Sequence, residues 1–287
     1  MENKKIYNQE FTGERSLFMI SDTTINGCRF YDGESPLKES HNLNIIDCDF
    51  EWKYPLWYSH AIKVKNSTFK DTARSGIWYT NDIEIEDSML FAPKLFRRAK
   101  NIVIKNSSFT NAVETMWNCQ NIKLINVLIK GNYFGLNSEN LEIENTVVDG
   151  NYFLDGAKNV TVKNSKIISK DAFWNCESVY VKDSVIIGEY LAWNTKNIRF
   201  ENCVIKSEQG LCYVEDLVID DCELLNTNLA FEYSTVDAEI RNVIDSIKNP
   251  NSGKIEALGF KNIIFDENIK TNKNDTIIIS KGDEENV

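Results

Sequence analysis

Three acidic residues in the middle of the chain are of the type that does acid–base chemistry: Glu114, Asp155 and Asp171. Hydrolysis of a glycosidic bond needs two carboxylates, one to protonate the leaving oxygen and one to act as base or nucleophile. A lyase instead needs a base near an acidic carbon, with a cation that offsets the substrate's carboxylate charge. We take the three acids as candidate catalytic residues, and their spacing leaves both hydrolysis and elimination open.

Each acid also has a structural interpretation. Asp155 precedes Gly156, and Asp171 follows Ser169 and Lys170, so both fit turns as well as they fit a catalytic site. The cations that could accompany the acids lie upstream of Asp155: Lys94, Arg97 and Arg98.

Aromatic residues recur about every 19 residues in the same part of the chain. The residue before each tryptophan of this column is mostly apolar, as at Leu56 and Ile77, which predicts that the tryptophans point outward. A line of exposed indoles would be an apolar surface with N–H donors, on which sugar rings can stack. A shift of one residue would instead bury the column. The candidate substrate-binding residues are Arg97, Arg98, Trp117, Tyr133, Tyr152, Trp174, Tyr190 and Trp193.

A nine-residue pattern positions all of these residues. It consists of a turn residue, apolar-x-apolar-x, Asn or Asp, a small residue, any residue and a large apolar residue. Apolar residues spaced by two are typical of a strand with one buried face, and the intervening turns are too short for a crossover helix. We therefore expect an all-β solenoid of about 11 to 13 coils, with a period of 19 to 21 residues and polar caps. The pattern starts at Asn42, Ala61, Asp82, Asn101, Asn121, Asn140, Asn159, Ser178, Asn197, Asp216 and Asp237.

The Asn or Asp of the pattern marks a corner, because short amide and carboxyl side chains tolerate left-handed backbone geometry and bond nearby backbone. This column consists of Asp47, Asn66, Asp87, Asn106, Asn126, Asn145, Asn164, Asp183, Asn202, Asp221 and Asn242. Such an Asn ladder, between an apolar-x-apolar strand and a second short strand, resembles the single-stranded right-handed parallel β-helix of the pectin-lyase-like superfamily. The resemblance covers roughly residues 17 to 270. It implies a substrate cleft along the strand that carries the tryptophan column.

Three segments also resemble an uncharacterised microbial family, a domain of unknown function, within that superfamily: 33–38, 52–57 and 231–237. The sequence departs from the polygalacturonase pattern, since it lacks an Asn-Thr-Asp motif and a Gly-His-Gly motif. Its two histidines, His41 and His60, lie far from the candidate acids, so we do not expect a histidine-dependent mechanism.

The composition limits the partners. A net charge of −11 disfavours nucleic acid and anionic membranes, which need clustered Lys and Arg, and no apolar run is long enough to span a bilayer. Charged residues two apart on successive coils alternate in sign, which predicts ion pairs between coils. No acidic or Cys/His spacing suggests metal ligands, so we expect neither metal nor cofactor.

The organisation that we expect is one β-helix domain over 1–287, because no Pro-rich or Gly-rich linker interrupts the repeat. It would comprise an N-terminal cap (1–20), regular coils (21–245), and irregular last coils with a C-terminal cap (246–287). The first ten residues have no apolar signal region, and seven cysteines suit buried thiols in a reducing compartment. We therefore expect a cytoplasmic protein, and the oligomeric state stays open.

Two functions follow from these residues. The first is a carbohydrate-binding protein that acts on an oligosaccharide, cleaving it as a lyase or glycoside hydrolase at the aromatic and acidic face. The alternative is a non-catalytic binding or scaffold β-helix, in which the same face holds a glycan or another protein. The sequence leaves open whether the protein is an enzyme.

Overall fold

The structure, a computed structural model, describes residues 4–267 and 271–282. It is an all-β parallel solenoid of about 14 turns with a period of about 19 residues. The predicted fold class is therefore confirmed, and the number of turns slightly exceeds the predicted range. The chain divides into two compact units, residues 1–147 and 148–287. The described residues contain no α-helix, and Lys273–Asp275 form a 3-10 helix, η1.

In the first unit, a first strand of four residues is followed by strands of six residues, with one or two strands of two or three residues between them. They are β1 (Lys4–Tyr7), β2 (Glu10–Phe11), β3 (Ser21–Asn26), β4 (Arg29–Phe30), β5 (His41–Ile46), β6 (Asp49–Phe50), β7 (His60–Lys65), β8 (Thr68–Phe69), β9 (Ile77–Trp78), β10 (Asn81–Glu86), β11 (Met89–Leu90), β12 (Phe96–Arg97), β13 (Lys100–Lys105), β14 (Ser108–Phe109), β15 (Gln120–Ile125), β16 (Leu128–Lys130) and β17 (Glu139–Glu144).

The boundary between the units falls within β18 (Val147–Asp149). In the second unit, strands of six residues alternate with strands of three residues up to residue 206, and the strands after it have five to ten residues. Its strands are β19 (Lys158–Lys163), β20 (Lys166–Ile168), β21 (Glu177–Lys182), β22 (Val185–Ile187), β23 (Lys196–Glu201), β24 (Val204–Lys206), β25 (Glu215–Leu224), β26 (Thr235–Ile240), β27 (Val243–Lys248), β28 (Ser252–Ala257), β29 (Gly259–Ile264) and β30 (Thr276–Ser280).

Within each unit, most of the long strands pair in parallel with the long strands one coil before and one coil after them. In the first unit, Ile83 of β10 lies opposite Ile62 of β7 and Ile102 of β13. In the second, Val179 of β21 lies opposite Val160 and Ile198. Direct stacking of equivalent residues is the arrangement that the 19-residue period predicts.

The apolar columns of the pattern form the core. Leu43, Ile45, Ile62 and Val64 are all buried, and the last apolar residue of the pattern adds a ladder of phenylalanine rings. Phe30, Phe50 and Phe69 stack in that ladder with ring centroids 4.9 and 4.7 Å apart. Because one coil cannot enclose its own apolar side chains, this packing between coils carries the stability of the fold.

The corner column takes the left-handed conformation that the sequence predicts. Asn66, Asn106 and Asn126 have φ angles of 48°, 47° and 55°. Their amides form a ladder from coil to coil: Nδ2 of Asn126 donates to Oδ1 of Asn106 at 2.9 Å, and Nδ2 of Asn106 donates to Oδ1 of Asp87 at 3.3 Å. In the second unit, Asn202 donates to Asp183 at 2.7 Å. The ladder therefore joins polar side chains by hydrogen bonds at a corner whose left-handed backbone conformation is unfavourable for most other residues.

Strands near both ends of the described chain also pair in parallel with strands of other coils. In residues 4–20, assigned to a cap from the sequence, β1 pairs in parallel with β3 and β2 with β4. After residue 245, β27 pairs with β29, and β28 pairs with β30. Residues 1–3, 268–270 and 283–287 of the predicted caps lie outside the described residues. The single-domain organisation stays a prediction.

The seven cysteines are all buried and free, as expected. Several predicted ion pairs between coils are present, such as Lys65 with Glu86 at 3.3 Å and Lys123 with Glu142 at 2.8 Å. They lie on exposed strand faces, where such pairs contribute little stability.

Candidate functional site

The tryptophan column lies on the outer side of the coils. In the first unit, Leu56, Ile77, Phe96 and Met116 are fully buried. The residue after each of them is partly exposed: Trp57, Trp78, Arg97 and Trp117. The interpretation that places the column outside is therefore correct, since the residue before each column member is buried in the core and the column member itself is partly exposed.

The sequence suggested that the indole N–H groups of the column could donate to a ligand. In the structure they donate to backbone oxygens instead. Nε1 of Trp78 donates to the backbone oxygen of Lys94 at 2.8 Å, and Nε1 of Trp117 donates to that of Tyr133 at 2.7 Å. In the second unit, Trp174 and Trp193 donate in the same way to Tyr190 and Gln209, at 2.6 and 2.8 Å. Each bond runs 16 residues forward and ties the column to the turn of the next coil.

The indole rings also stack on one another. Trp57 and Trp78 are nearly parallel, with an angle of 8° between ring planes and 5.5 Å between ring centroids. Arg97 continues the stack, with its guanidinium carbon 4.5 Å from the centroid of Trp78 and 4.7 Å from that of Trp117. A sugar could reach only the ring edges inside such a stack, so ring faces are open to ligands only where a stack ends.

The predicted residues of the first unit form a charged cluster beside this stack. Lys94 Nζ lies 2.9 Å from Oε2 of Glu114, and Arg97 Nη2 lies 4.0 Å from the same oxygen. Arg98 lies over the ring of Tyr79 at 6.0 Å, and Tyr133 is exposed. Glu114 therefore sits between two cations, where it serves as their counter-ion rather than as a free base.

In the second unit, Trp174 and Trp193 form the equivalent stack. Their centroids are 5.9 Å apart at an angle of 15°. Two tyrosines meet the stack nearly edge-on, Tyr152 against Trp174 at 6.1 Å and Tyr190 against Trp193 at 5.6 Å. On the side of Trp174 away from Trp193, the next residue of the tryptophan column is Asp155, whose short side chain ends the parallel stack.

Asp171 is the most unusual acid of the second unit. It is only 2% exposed, and its Oδ1 has no hydrogen-bond partner among the described residues. Burial raises the pKa of Asp171, the charge of Lys170 and a hydrogen bond from Tyr152 oppose the rise, and the charges of Glu189 and Asp155 add to it. A carboxyl group that holds its proton more strongly than usual is suited to proton donation.

Asp155 has a structural partner as well. Nδ2 of Asn175 donates to Oδ1 of Asp155 at 2.8 Å, and Asn194 donates in turn to Asn175 at 2.9 Å. Asp155 is therefore the first member of an amide ladder, which agrees with the turn interpretation. It is partly exposed and close enough to Asp171 for its charge to be felt there.

The structure thus brings Asp155, Asp171, Tyr152, Trp174 and Tyr190 together in the second unit. Glu114, Arg97, Arg98, Trp117 and Tyr133 belong to the first unit.

Sequence reasoning missed three contributors to the cluster in the second unit, Lys170, Glu189 and Asn175. Lys170 pairs with Glu189 at 3.1 Å and lies over the ring of Tyr190 at 5.0 Å. The spacing of 19 residues between Lys170 and Glu189, one coil, was the signal that could have found this pair.

Within the described ranges, no group of three or more His, Cys, Asp or Glu side chains is placed to hold a metal ion. A helix long and apolar enough to cross a membrane is likewise not found in those ranges.

Comparison with solved structures shows the fold. The chain is similar to PfbA, a surface adhesin of Streptococcus pneumoniae, with 13% identity over 81% of this chain and 86% of the adhesin, and a TM-score of 0.54. It is more distantly similar to the A-module of the mannuronan C-5 epimerase AlgE4 of Azotobacter vinelandii, with 10% identity over 96% of this chain and 88% of the module, and a TM-score of 0.31. At these identities the adhesin supports the fold alone, and the epimerase supports no further argument.

None of the curated proteins matches the chain. The model of one family does match, over residues 4–278, and it covers both the coils and the residues of the candidate site. The chain therefore belongs to the family described as "Protein of unknown function (DUF3737)".

Proposed function

We propose that the protein binds an oligosaccharide on the outer face of the second unit, at the end of the Trp174–Trp193 stack. The partly exposed side chains of Tyr152, Asp155, Trp174 and Tyr190 form the contact surface. Aromatic rings next to carboxylates suit a sugar, because its apolar ring face packs on the aromatic group while its hydroxyls donate to the carboxylate.

The observation that carries this proposal is Asp171, a buried acid with an unpartnered oxygen behind a partly exposed aromatic surface. Leaving a buried polar atom unpaired costs stability, and such atoms are often found at functional sites. In this proposal Asp171 is a positioning residue, since its interaction with Tyr152 fixes the ring that faces the ligand.

The test is binding of a panel of neutral and acidic oligosaccharides, measured by calorimetry. The native chain is expected to bind at least one of them. Trp174→Ala and Asp155→Asn should each weaken binding about tenfold, which corresponds to a loss of about 1.4 kcal/mol. Glu177→Gln serves as the control, because Glu177 pairs with Lys158 at 3.0 Å on a long strand away from the aromatic column.

A complete lack of binding by the native chain contradicts the glycan proposal and favours the alternative, a scaffold β-helix. Equal losses in Trp174→Ala and Glu177→Gln would also contradict the placement of the site.

A second candidate function is cleavage of the bound sugar. It is favoured by the raised pKa of Asp171 and by the position of Asp155 close to it, because glycoside hydrolysis uses two neighbouring carboxyl groups, one of which holds its proton more strongly than usual. If cleavage occurs, Asp171→Asn should abolish product formation and leave ligand binding within about threefold. Binding without any product, from the native chain and over the whole panel, assigns the protein to the non-catalytic class.

We also propose a cytoplasmic location, where imported oligosaccharides or intracellular glycans are the available ligands. Fractionation of cells that express the untagged protein tests this: recovery in the cytosolic fraction is expected, and recovery from the medium contradicts it.

A further inference from the structure

A groove runs across the long strands of the first unit, away from the aromatic column. It has a volume of about 660 Å³, and its walls come from β5, β7, β10 and β13. The side chains that shape it are Asn42, Ala61, Lys63, Asp82, Glu84 and Asn101.

The groove lies where an amide ladder is interrupted. At the first position of each repeat, Nδ2 of Asn42 donates to Asp22 at 2.7 Å, and Nδ2 of Asn101 donates to Asp82 at 2.7 Å. The residue between Asn42 and Asp82 in this column is Ala61, which has no side-chain donor or acceptor. The gap spans two coil steps, or about 10 Å between the flanking strands, which is wide enough for a small molecule.

Alanine is also energetically unfavourable at position 61. Its φ angle is 53°, and a left-handed conformation costs an ordinary L-residue about 1 to 2 kcal/mol, less for Asn or Asp. An asparagine here would relieve that cost and close the ladder. A residue that lowers local stability relative to an obvious alternative, here alanine in place of asparagine, is typical of a functional position.

The second unit supports the link between the gap and the groove. Its ladder carries Ser178 between Asn159 and Asn197, and Nδ2 of Asn197 donates to the serine Oγ at only 3.4 Å. A groove of about 400 Å³ lies there. In both units, a groove lies where the ladder carries a small side chain.

The polar groups around Ala61 have unused hydrogen-bonding and charge capacity. Within the described residues, Oδ1 of Asn42 accepts no hydrogen bond, and Asp82 uses only Oδ1, which receives Nδ2 of Asn101. Lys63, the next outward residue on β7, forms no direct ion pair among those residues. Lys105, which pairs with Glu84 at 2.8 Å, is the main cause of the lowered pKa of Glu84, and the charge of Lys63 adds to it. The gap thus offers two acceptors, one of them negative, and an available ammonium group beside them.

We propose that this groove binds a small zwitterion with an ammonium group and a carboxylate, such as a free α-amino acid. The ammonium group of the ligand lies in the gap beside Ala61 and pairs with the carboxylate of Asp82. The carboxylate of the ligand pairs with Lys63. Neither a simple anion nor a simple cation satisfies both sides of the groove.

Binding is tested by calorimetry with free glycine, serine, glutamate and lysine, and with acetate and ethylamine as probes that carry one charge each. The native protein is expected to bind at least one amino acid and to bind acetate and ethylamine at least about tenfold more weakly. Ala61→Asn fills the gap, so it should reduce amino-acid binding by about tenfold or more while it raises the unfolding midpoint.

Ser178→Asn is the matched control, because it makes the same change in the other ladder and should leave binding unchanged. Lys63→Met and Asp82→Asn should each weaken binding. The proposal is overturned if no amino acid binds the native protein, if acetate or ethylamine binds as well as the amino acids do, or if Ala61→Asn binds as the native protein does. Because Ala61→Asn is expected to be more stable than the native chain, a loss of binding cannot be ascribed to unfolding when the midpoint rises.

Discussion

The guanidinium carbon of Arg97 lies 4.5 Å from the centroid of the Trp78 indole ring, in the place where a further indole would continue the stack. On its other side, Trp117 lies at 4.7 Å. Both contacts follow from the register of the coils, since Arg97 of β12 pairs with Trp78 of β9 and forms a bridge with Trp117. The planar cation therefore replaces a ring without interrupting the column.

This sandwich predicts the effect of replacing Arg97. Arg97→Ala should lower the free energy of unfolding by about 1 to 2 kcal/mol, because two cation–π contacts and the packing of the side-chain stem are lost. Arg97→Trp should be at least as stable as the native chain, since it restores a continuous indole stack and removes Nε, which is buried without a partner among the described residues. Urea unfolding measures both, and equal losses in the two variants would show that the stack does not contribute.

The corner ladder gives a second prediction. Asn106→Ala should destabilise the protein by about 2 kcal/mol, because alanine is disfavoured at a φ angle of 47° and two ladder hydrogen bonds are lost. Asn106→Gly loses the same bonds but adopts this conformation freely, so it should cost clearly less. Urea unfolding of the two variants separates backbone conformation from hydrogen bonding. If alanine and glycine cost the same, the left-handed corner is not the reason for the Asn column.

Asp171 makes stability depend on pH in a defined direction. An unfolded aspartate has a pKa of about 3.9, and burial raises the pKa of Asp171 in the folded protein. The folded state therefore binds the proton more tightly. The stabilisation is fully present below the unfolded pKa and is lost as the pH rises through the folded pKa.

Asp171→Asn removes this titration while it keeps the shape of the side chain and its tolerance for a φ angle of 57°. The variant should gain stability relative to the native chain as the pH rises through this window, and the difference should level off above it. Thermal unfolding between acidic and neutral pH measures the difference, with Asp71→Asn as the control, since Asp71 is exposed and belongs to the first unit. A difference that does not change with pH would contradict a raised pKa.

Three of the buried cysteines, Cys48, Cys119 and Cys212, should be unreactive in the native state. Burial raises the pKa of Cys48, Cys119 and Cys212 to about 12 in each case, so very little thiolate forms near neutral pH. Because the thiolate is the reactive form, a disulfide reagent such as Ellman's reagent should label none of these three until the chain unfolds. In denaturant all seven cysteines should react. Rapid labelling of one of these three in the native protein, located by mass spectrometry, would contradict this.

Much of the fold follows from the sequence, because a solenoid repeats one local solution. The apolar columns, such as Ile62 and Ile83, and the Asn corner recur at a fixed spacing, and that spacing alone places equivalent residues above one another. The outward direction of Trp78 could be predicted as well, since Ile77 and Trp78 lie in one short strand whose side chains alternate between the two faces.

The candidate sites depend on contacts that the repeat does not specify. The indole N–H of Trp117 is used by a carbonyl oxygen 16 residues ahead, and the groove exists because Ala61 leaves a gap between side chains one coil before and one coil after it. Sequence alone determined which residues share a column and which side of the coil they face. Only the tertiary structure decided which donors are already satisfied, which rings are covered and which side chains leave space, because those properties arise between side chains on neighbouring coils.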